Sequence, residues 1–143
     1  MEEAIKQQAD PVGTYTDSWK RIEQAGAGRL AFFAAFYDRF LGGSAEIREK
    51  FAHADLARQQ LMLKQSFAFM EFYFTRGEAN AQLRHIAERH SRADLDIPPR
   101  FYACWLDALL ATVQDTDSGC DDQVLDAWRT IFTPGIEFMK SMY

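Results

Sequence analysis

Apolar residues recur every three to four positions along almost the whole chain. The pattern is interrupted at a few places by clusters of Gly, Pro, Asp and Ser. Alternating apolar–polar runs are lacking and Val and Ile are few, so the periodicity predicts an all-α protein of seven to eight helices. Thr16-Asp17-Ser18 offers N-cap chemistry for a first helix to about Gln24, anchored by Trp19 and Ile22. Gly26-Ala27-Gly28 breaks it. The stretch 29–41 carries Phe33, Tyr37, Phe40 and Leu41 on one face. Gly42-Gly43 stops that helix, and Ser44 caps a short one to about Lys50. A corner at 51–54 leads into a helix over about 55–74 whose face is Gln59, Leu63, Phe67, Met70 and Phe74. Its far half is apolar all round, which predicts burial on several sides.

Beyond Gly77, a helix over about 78–90 places Leu83, Ile86, Ala87 and His90 on one stripe. Pro98-Pro99 suits the opening of the next helix, which runs to about Gln114 through Tyr102, Trp105, Leu106, Leu109, Leu110 and Val113. A polar loop over 115–122 precedes the last helix. That helix carries Val124, Leu125, Trp128, Ile131 and Phe132, and Pro134 inside it should produce a kink. Residues 1–13, ending in Pro11-Val12-Gly13, read as an arm or short preceding helix, and 14–143 as one domain.

A chain of 143 residues, 48% hydrophobic, is long enough for a sizeable core. Twelve of its residues are Phe, which fits either an aromatic-rich helical core or a core shared with something large and flat. Composition leaves both open. The net charge of −5 argues against nucleic acid or an anionic membrane as partner. No run of 18 apolar residues predicts a membrane span. The N-terminal MEEAIKQQADP is acidic and lacks the apolar segment of a signal peptide, so a cytoplasmic protein is expected. Cys104 and Cys120 show no zinc spacing and read as ordinary thiols.

The chemistry concentrates on His90. A lone histidine at a helix C-terminus is accounted for by interaction with the helix dipole and the last carbonyls. On an apolar stripe it also has the makings of a metal or haem-iron ligand, since a neutral imidazole is a good axial ligand. His85, five residues earlier and about 500° around the helix, points elsewhere. Tyr37 and Gln59 are polar tips on apolar faces of two other helices. Each has an ordinary role open to it, a hydroxyl at the core edge or a solvated amide. With His90 and the Phe-rich corner they form one coherent site.

These residues occur in an order that resembles the bacterial haemoglobins of the three-over-three globin fold, close in pattern to the globin domain of flavohaemoglobins. The resemblance covers about residues 16–143. FYDRFLGGSAEIREKF is similar to the family's helix B through the corner after helix C, with Tyr37 at the distal tyrosine. Phe51, fourteen residues on, matches the phenylalanine that packs flat on haem. RQQLMLKQSF resembles the start of helix E, with Gln59 at the distal polar position and Leu63 one turn on; Gln60 is the alternative to Gln59. LRHIAERH resembles the end of helix F, with His90 at the proximal ligand. PPRFY resembles the start of helix G, with Tyr102 on the proximal side, and VLDAW resembles helix H. Two features depart from the family. The segment between His90 and the prolines is about two residues longer, and Tyr143 falls where the family places a glutamate that polarises the proximal histidine.

The resemblance implies a three-over-three globin sandwich that binds haem b through His90. Phe33, Phe51, Leu63, Phe67, Ile86, Leu106 and Leu109 would form the walls, with His53 near the propionates. It implies reversible binding of dioxygen or another diatomic gas, and nitric-oxide detoxification if an external reductase supplies electrons. The alternative is a gas or redox sensor acting through a dimer or partner. The last two helices carry Trp105, Trp128, Phe138, Met139 and Met142, enough apolar surface to predict a homodimer through them.

Overall fold

The computed structural model describes residues 10–26 and 28–143. Seven α-helices and no strands are found among them: α1 Pro11–Gln24, α2 Gly28–Gly42, α3 Ala45–Lys50, α4 Leu56–Arg76, α5 Ala81–His90, α6 Arg100–Thr116 and α7 Asp122–Ser141. Short polar side chains set most of the starts. Asp10, Ser44, Asp55, Asn80 and Asp121 each accept a hydrogen bond from a backbone N–H of the first turn that would otherwise lack a partner. Gly77 ends α4 in the left-handed conformation that glycine adopts without penalty.

Several boundaries differ from the sequence expectation. The first helix begins at Pro11 and not at Thr16–Ser18, because Asp10 caps it and a proline at the first position needs no amide partner. The N-terminal arm expected over 1–13 therefore yields Pro11-Val12-Gly13 to α1, and residues 1–9 lie outside the described residues. The fifth helix starts three residues later than expected, at Ala81, where Asn80 supplies the cap. The polar loop over 115–122 is shorter, since α6 runs on to Thr116. The far half of α4 is not enclosed on all sides: Met70 is buried but Phe69, Phe72, Tyr73 and Phe74 are half-exposed. They lie along the edges of the helix, Phe72 under the Arg76 guanidinium and Tyr73 against Phe138. The last helix continues through Pro134. No helix among the described residues is long and apolar enough to cross a membrane.

The helices pack in two layers. α2, α6 and α7 lie side by side, and α1, α4 and α5 cross α7. Where α4 crosses α7 the approach is close: a Cβ at Gly135 would collide with the Met70 sulfur. The centre of the core is aromatic. Trp128 and Phe132 stack with ring centroids 5.6 Å apart, and Phe67 meets both edge-on. Trp19 and Tyr15 close the cluster from α1. Each such pair adds about 0.5–1.5 kcal/mol beyond its area burial.

Ser18, expected as a cap, lies inside α1 and is fully buried. Its hydroxyl donates to Asp117 at 2.7 Å and accepts from the Trp128 indole at 2.9 Å. Asp117 also accepts two hydrogen bonds from Arg21 and one from the Gly119 amide. Burial alone would raise the Asp117 carboxyl, but the bonds from Arg21, Ser18 and Gly119 outweigh it and hold it below its ordinary value. A depressed carboxyl stabilises the fold above the unfolded value of about 3.9, and this contribution is lost as pH falls through the lower folded value. Asp117→Ala should destabilise the protein by about 1–3 kcal/mol at neutral pH, and the deficit should shrink in acid. Urea unfolding of both proteins at several pH values checks this. A deficit unchanged down to strongly acid pH would show that the carboxylate charge plays no part.

Candidate functional site

A cavity of about 430 Å³ opens between α4 and α5, with α6 and α7 behind it. Its lining is mostly apolar: Phe40, Phe51, Met62, Leu63, Met70, Ile86, Trp105, Ile136 and Met139 all face it. The polar groups are few. Tyr37 and Gln59 stand on the α2–α4 side, His90 on the α5 side, Tyr102 on α6, and Lys50 and His53 at the exposed rim. A concave apolar space with a handful of placed polar groups is the ordinary form of a small-molecule or cofactor site.

His90 is the last residue of α5. Its Nδ1 lies 2.8 Å from the Ile86 carbonyl oxygen one turn back, an acceptor, so Nδ1 carries the proton and donates. Nε2 is then left with its lone pair. Burial lowers the His90 pKa, partly opposed by the bond to Ile86, and the ring is held neutral. Neutral charge, a fixed tautomer and a free Nε2 are what metal ligation requires of histidine. Among the described residues no carboxylate bonds Nδ1. The Tyr143 position, where the resemblance places a polarising glutamate, instead directs its hydroxyl to Asp96.

Across the cavity the Tyr37 hydroxyl donates to the Gln59 backbone carbonyl at 3.1 Å, tying α2 to the first turn of α4. Burial pushes the Tyr37 pKa well above its usual value, so the phenol keeps its proton. The Gln59 side-chain amide has no hydrogen-bond partner among the described residues and faces the same space.

No family model and no curated protein matches this chain. A solved structure does. A protein of Pseudomonas aeruginosa PAO1, described as structurally highly homologous to a human hemoglobin, superposes with a TM-score of 0.84 at 38% sequence identity, over 93% of this chain and 98% of its own. The chain belongs to the globin family. Its all-α architecture is the globin fold.

This globin brings most of the residues singled out from sequence to one place. Tyr37, Phe51, Gln59, Leu63, Ile86, His90 and Tyr102 all line the cavity, and Gln59 does so rather than Gln60. Phe67 and Leu106 do not. Phe67 is turned into the aromatic core against Trp19, Trp128 and Phe132, and Leu106 is half-buried against the core. Phe33 and Leu109 likewise pack in the core and away from the cavity. His53 sits at the exposed rim and His85 is exposed.

Sequence reasoning missed the back wall. Ile136 and Met139 share an i, i+3 stripe on α7, and Trp105 follows Tyr102 at the same spacing on α6, but nothing local separates a cavity wall from an ordinary core contact. Leu95 and Ile97, in the loop after His90, were also missed. Part of the apolar surface behind the homodimer expectation packs within the chain. Trp128 and Met139 are buried, Trp105 lines the cavity, Phe138 packs on Tyr73, and Met142 rests on the core. Trp105, Phe138 and Met142 are nonetheless half-exposed.

Proposed function

We propose that this globin holds haem b through His90 and reversibly binds dioxygen or a similar diatomic gas on the Tyr37–Gln59 side. The observation that carries the reading is the state of His90: a half-buried neutral imidazole, its Nδ1–H donated to Ile86, its Nε2 unengaged in a cavity. The rest of the lining fits a flat amphiphilic macrocycle. Its walls are apolar, and the exposed rim carries Lys50 and His53, which suit an anionic edge.

Haem would supply an iron with one open coordination position for a diatomic gas. The chain supplies the surroundings. Ile86 fixes the ring orientation of His90, and a carbonyl in place of a carboxylate leaves the imidazole a weaker electron donor, which favours binding over peroxide chemistry. On the other side the Gln59 amide, and Tyr37 O–H on leaving the Gln59 carbonyl, can donate to a ligand that carries partial negative charge. Apolar side chains around them keep water out, and hydrogen bonds there are stronger than in water. Two unpaired thiols, Cys104 and Cys120, accord with a cytoplasmic location.

The visible absorption spectrum of the purified protein, as isolated and after reduction under oxygen, tests the reading. A Soret band that shifts on reduction and again on exposure to oxygen is expected. A protein that stays colourless when expressed with haem in excess, and takes up none when titrated with it, would overturn it.

A further inference from the structure

The loop that follows His90 folds back on the helix it leaves. Three amides turn inward: Leu95 N–H donates to the Arg89 carbonyl at 3.0 Å, Asp96 N–H to Ser91 at 2.9 Å, and Ile97 N–H to the carbonyl of His90 itself at 3.0 Å. Leu95 and Ile97 place their side chains in the same cavity as His90. The loop is therefore part of the wall on the His90 side. Its turn is bought with strain, since Asp96 has φ 52°, the one positive φ at a non-glycine residue among those described. Such a conformation persists only where the surroundings hold it.

What holds it comes from the far end of the chain. The Tyr143 hydroxyl donates to the Asp96 carboxylate. The Arg92 guanidinium lies 4.6 Å above the Tyr143 ring, within cation–π range, and the Arg92 amide donates to the Tyr143 carbonyl at 3.4 Å. The tyrosine is thus clamped between two residues of the loop, one on either side of Leu95.

We infer that Tyr143 is a positioning residue: clamped by Asp96 and Arg92, it holds the loop 91–97 against the end of α5 and thereby sets the orientation of His90 toward the cavity. This rests on the reading of His90 as the haem ligand. The clamp acts on the ligand through Ile97, whose amide is bonded to the His90 carbonyl and whose side chain shares the cavity wall.

The test uses the full-length protein as purified and three variants: Tyr143→Phe, Asp96→Ala and Asp96→Asn. Two quantities are read, amide hydrogen exchange across residues 91–97 and the environment of His90. The latter is followed by the iron–histidine stretching band in resonance Raman and by the His90 imidazole NMR resonances. Tyr143→Phe and Asp96→Ala should speed exchange of 91–97 by about tenfold while leaving α1 and α2 unchanged, and should shift or broaden the His90 signals. Asp96→Asn keeps an oxygen acceptor and a residue type that tolerates positive φ, so it should stay near the parent protein on both measures. Unchanged exchange in Tyr143→Phe would overturn the clamp. Faster exchange with unmoved His90 signals would overturn the positioning role. If the parent protein itself lacks an iron–histidine band, the haem reading fails, and the clamp is then judged on exchange and the imidazole resonances.

Discussion

Replacing His90 with alanine should leave a folded protein that no longer retains haem, and added imidazole should restore part of the spectrum. The fold should survive because His90 is only half-buried and its ring's one hydrogen bond, to Ile86, is local to α5. Haem should be lost because no other lining residue is suited to replace the ligand: His53 lies at the exposed rim. Tyr102 lines the cavity, but burial drives its pKa up to about 12, so at neutral pH it holds its proton and is a poor metal ligand. Removing a group that merely hydrogen-bonds a metal-bound histidine costs about 10- to 100-fold in affinity, so loss of the ligand itself should exceed about a hundredfold. Imidazole fits the space vacated, and without the Ile86 tether it binds with free rotation. Haem titration followed at the Soret band, with and without imidazole, measures this. A variant with an unchanged Soret band and unchanged affinity would remove His90 from the site.

Tyr37→Phe should raise the oxygen dissociation rate by about tenfold. Sequence reasoning alone favours a larger effect, roughly ten- to hundredfold, from a hydrogen bond of about 1.5–3 kcal/mol to a partly charged ligand. The structure lowers that expectation. The Tyr37 proton already has an acceptor, the Gln59 carbonyl, so donation to a ligand exchanges one bond for another. Setting the neutral bond at about 0.5–1.5 kcal/mol leaves a difference of about 1–1.5 kcal/mol. Gln59→Leu should have a smaller effect, because ordering a glutamine with three free torsions opposes the bond it makes. Stopped-flow oxygen dissociation on both variants decides the order. An unchanged rate in Tyr37→Phe would mean that the hydroxyl stays with Gln59 throughout and serves only to tie α2 to α4.

The helices were legible because each carries an apolar stripe of the right period and most begin at a short polar cap. The exceptions have local causes. Ser18 carries N-cap chemistry that any sequence window would accept, yet its partners, Asp117 and Trp128, are about a hundred residues away in sequence and give no local signal. Phe67 shares a helical face with Leu63, but a helix face is wide. Leu63 looks into the cavity while Phe67 looks into the aromatic cluster. The spacing from Tyr37 to Phe51 and the stripe ending at His90 lead to the cavity because both are short-range features anchored at helix ends. Leu95, Ile97 and the Tyr143 clamp depend on how a loop folds, and periodicity is silent about loops.

The bonds from Ser18 join α1 to residues 99 and 110 positions further along. A chain emerging from the ribosome makes α1 through α6 before the bond between Ser18 and Trp128 or the stacking of Trp128 on Phe132 can form. The back wall of the cavity, Ile136 and Met139, emerges later still. Up to that point the apolar faces that will border the cavity have nothing to close against. The order of synthesis thus sets an order of assembly, in which the cavity cannot close until α7 has been delivered.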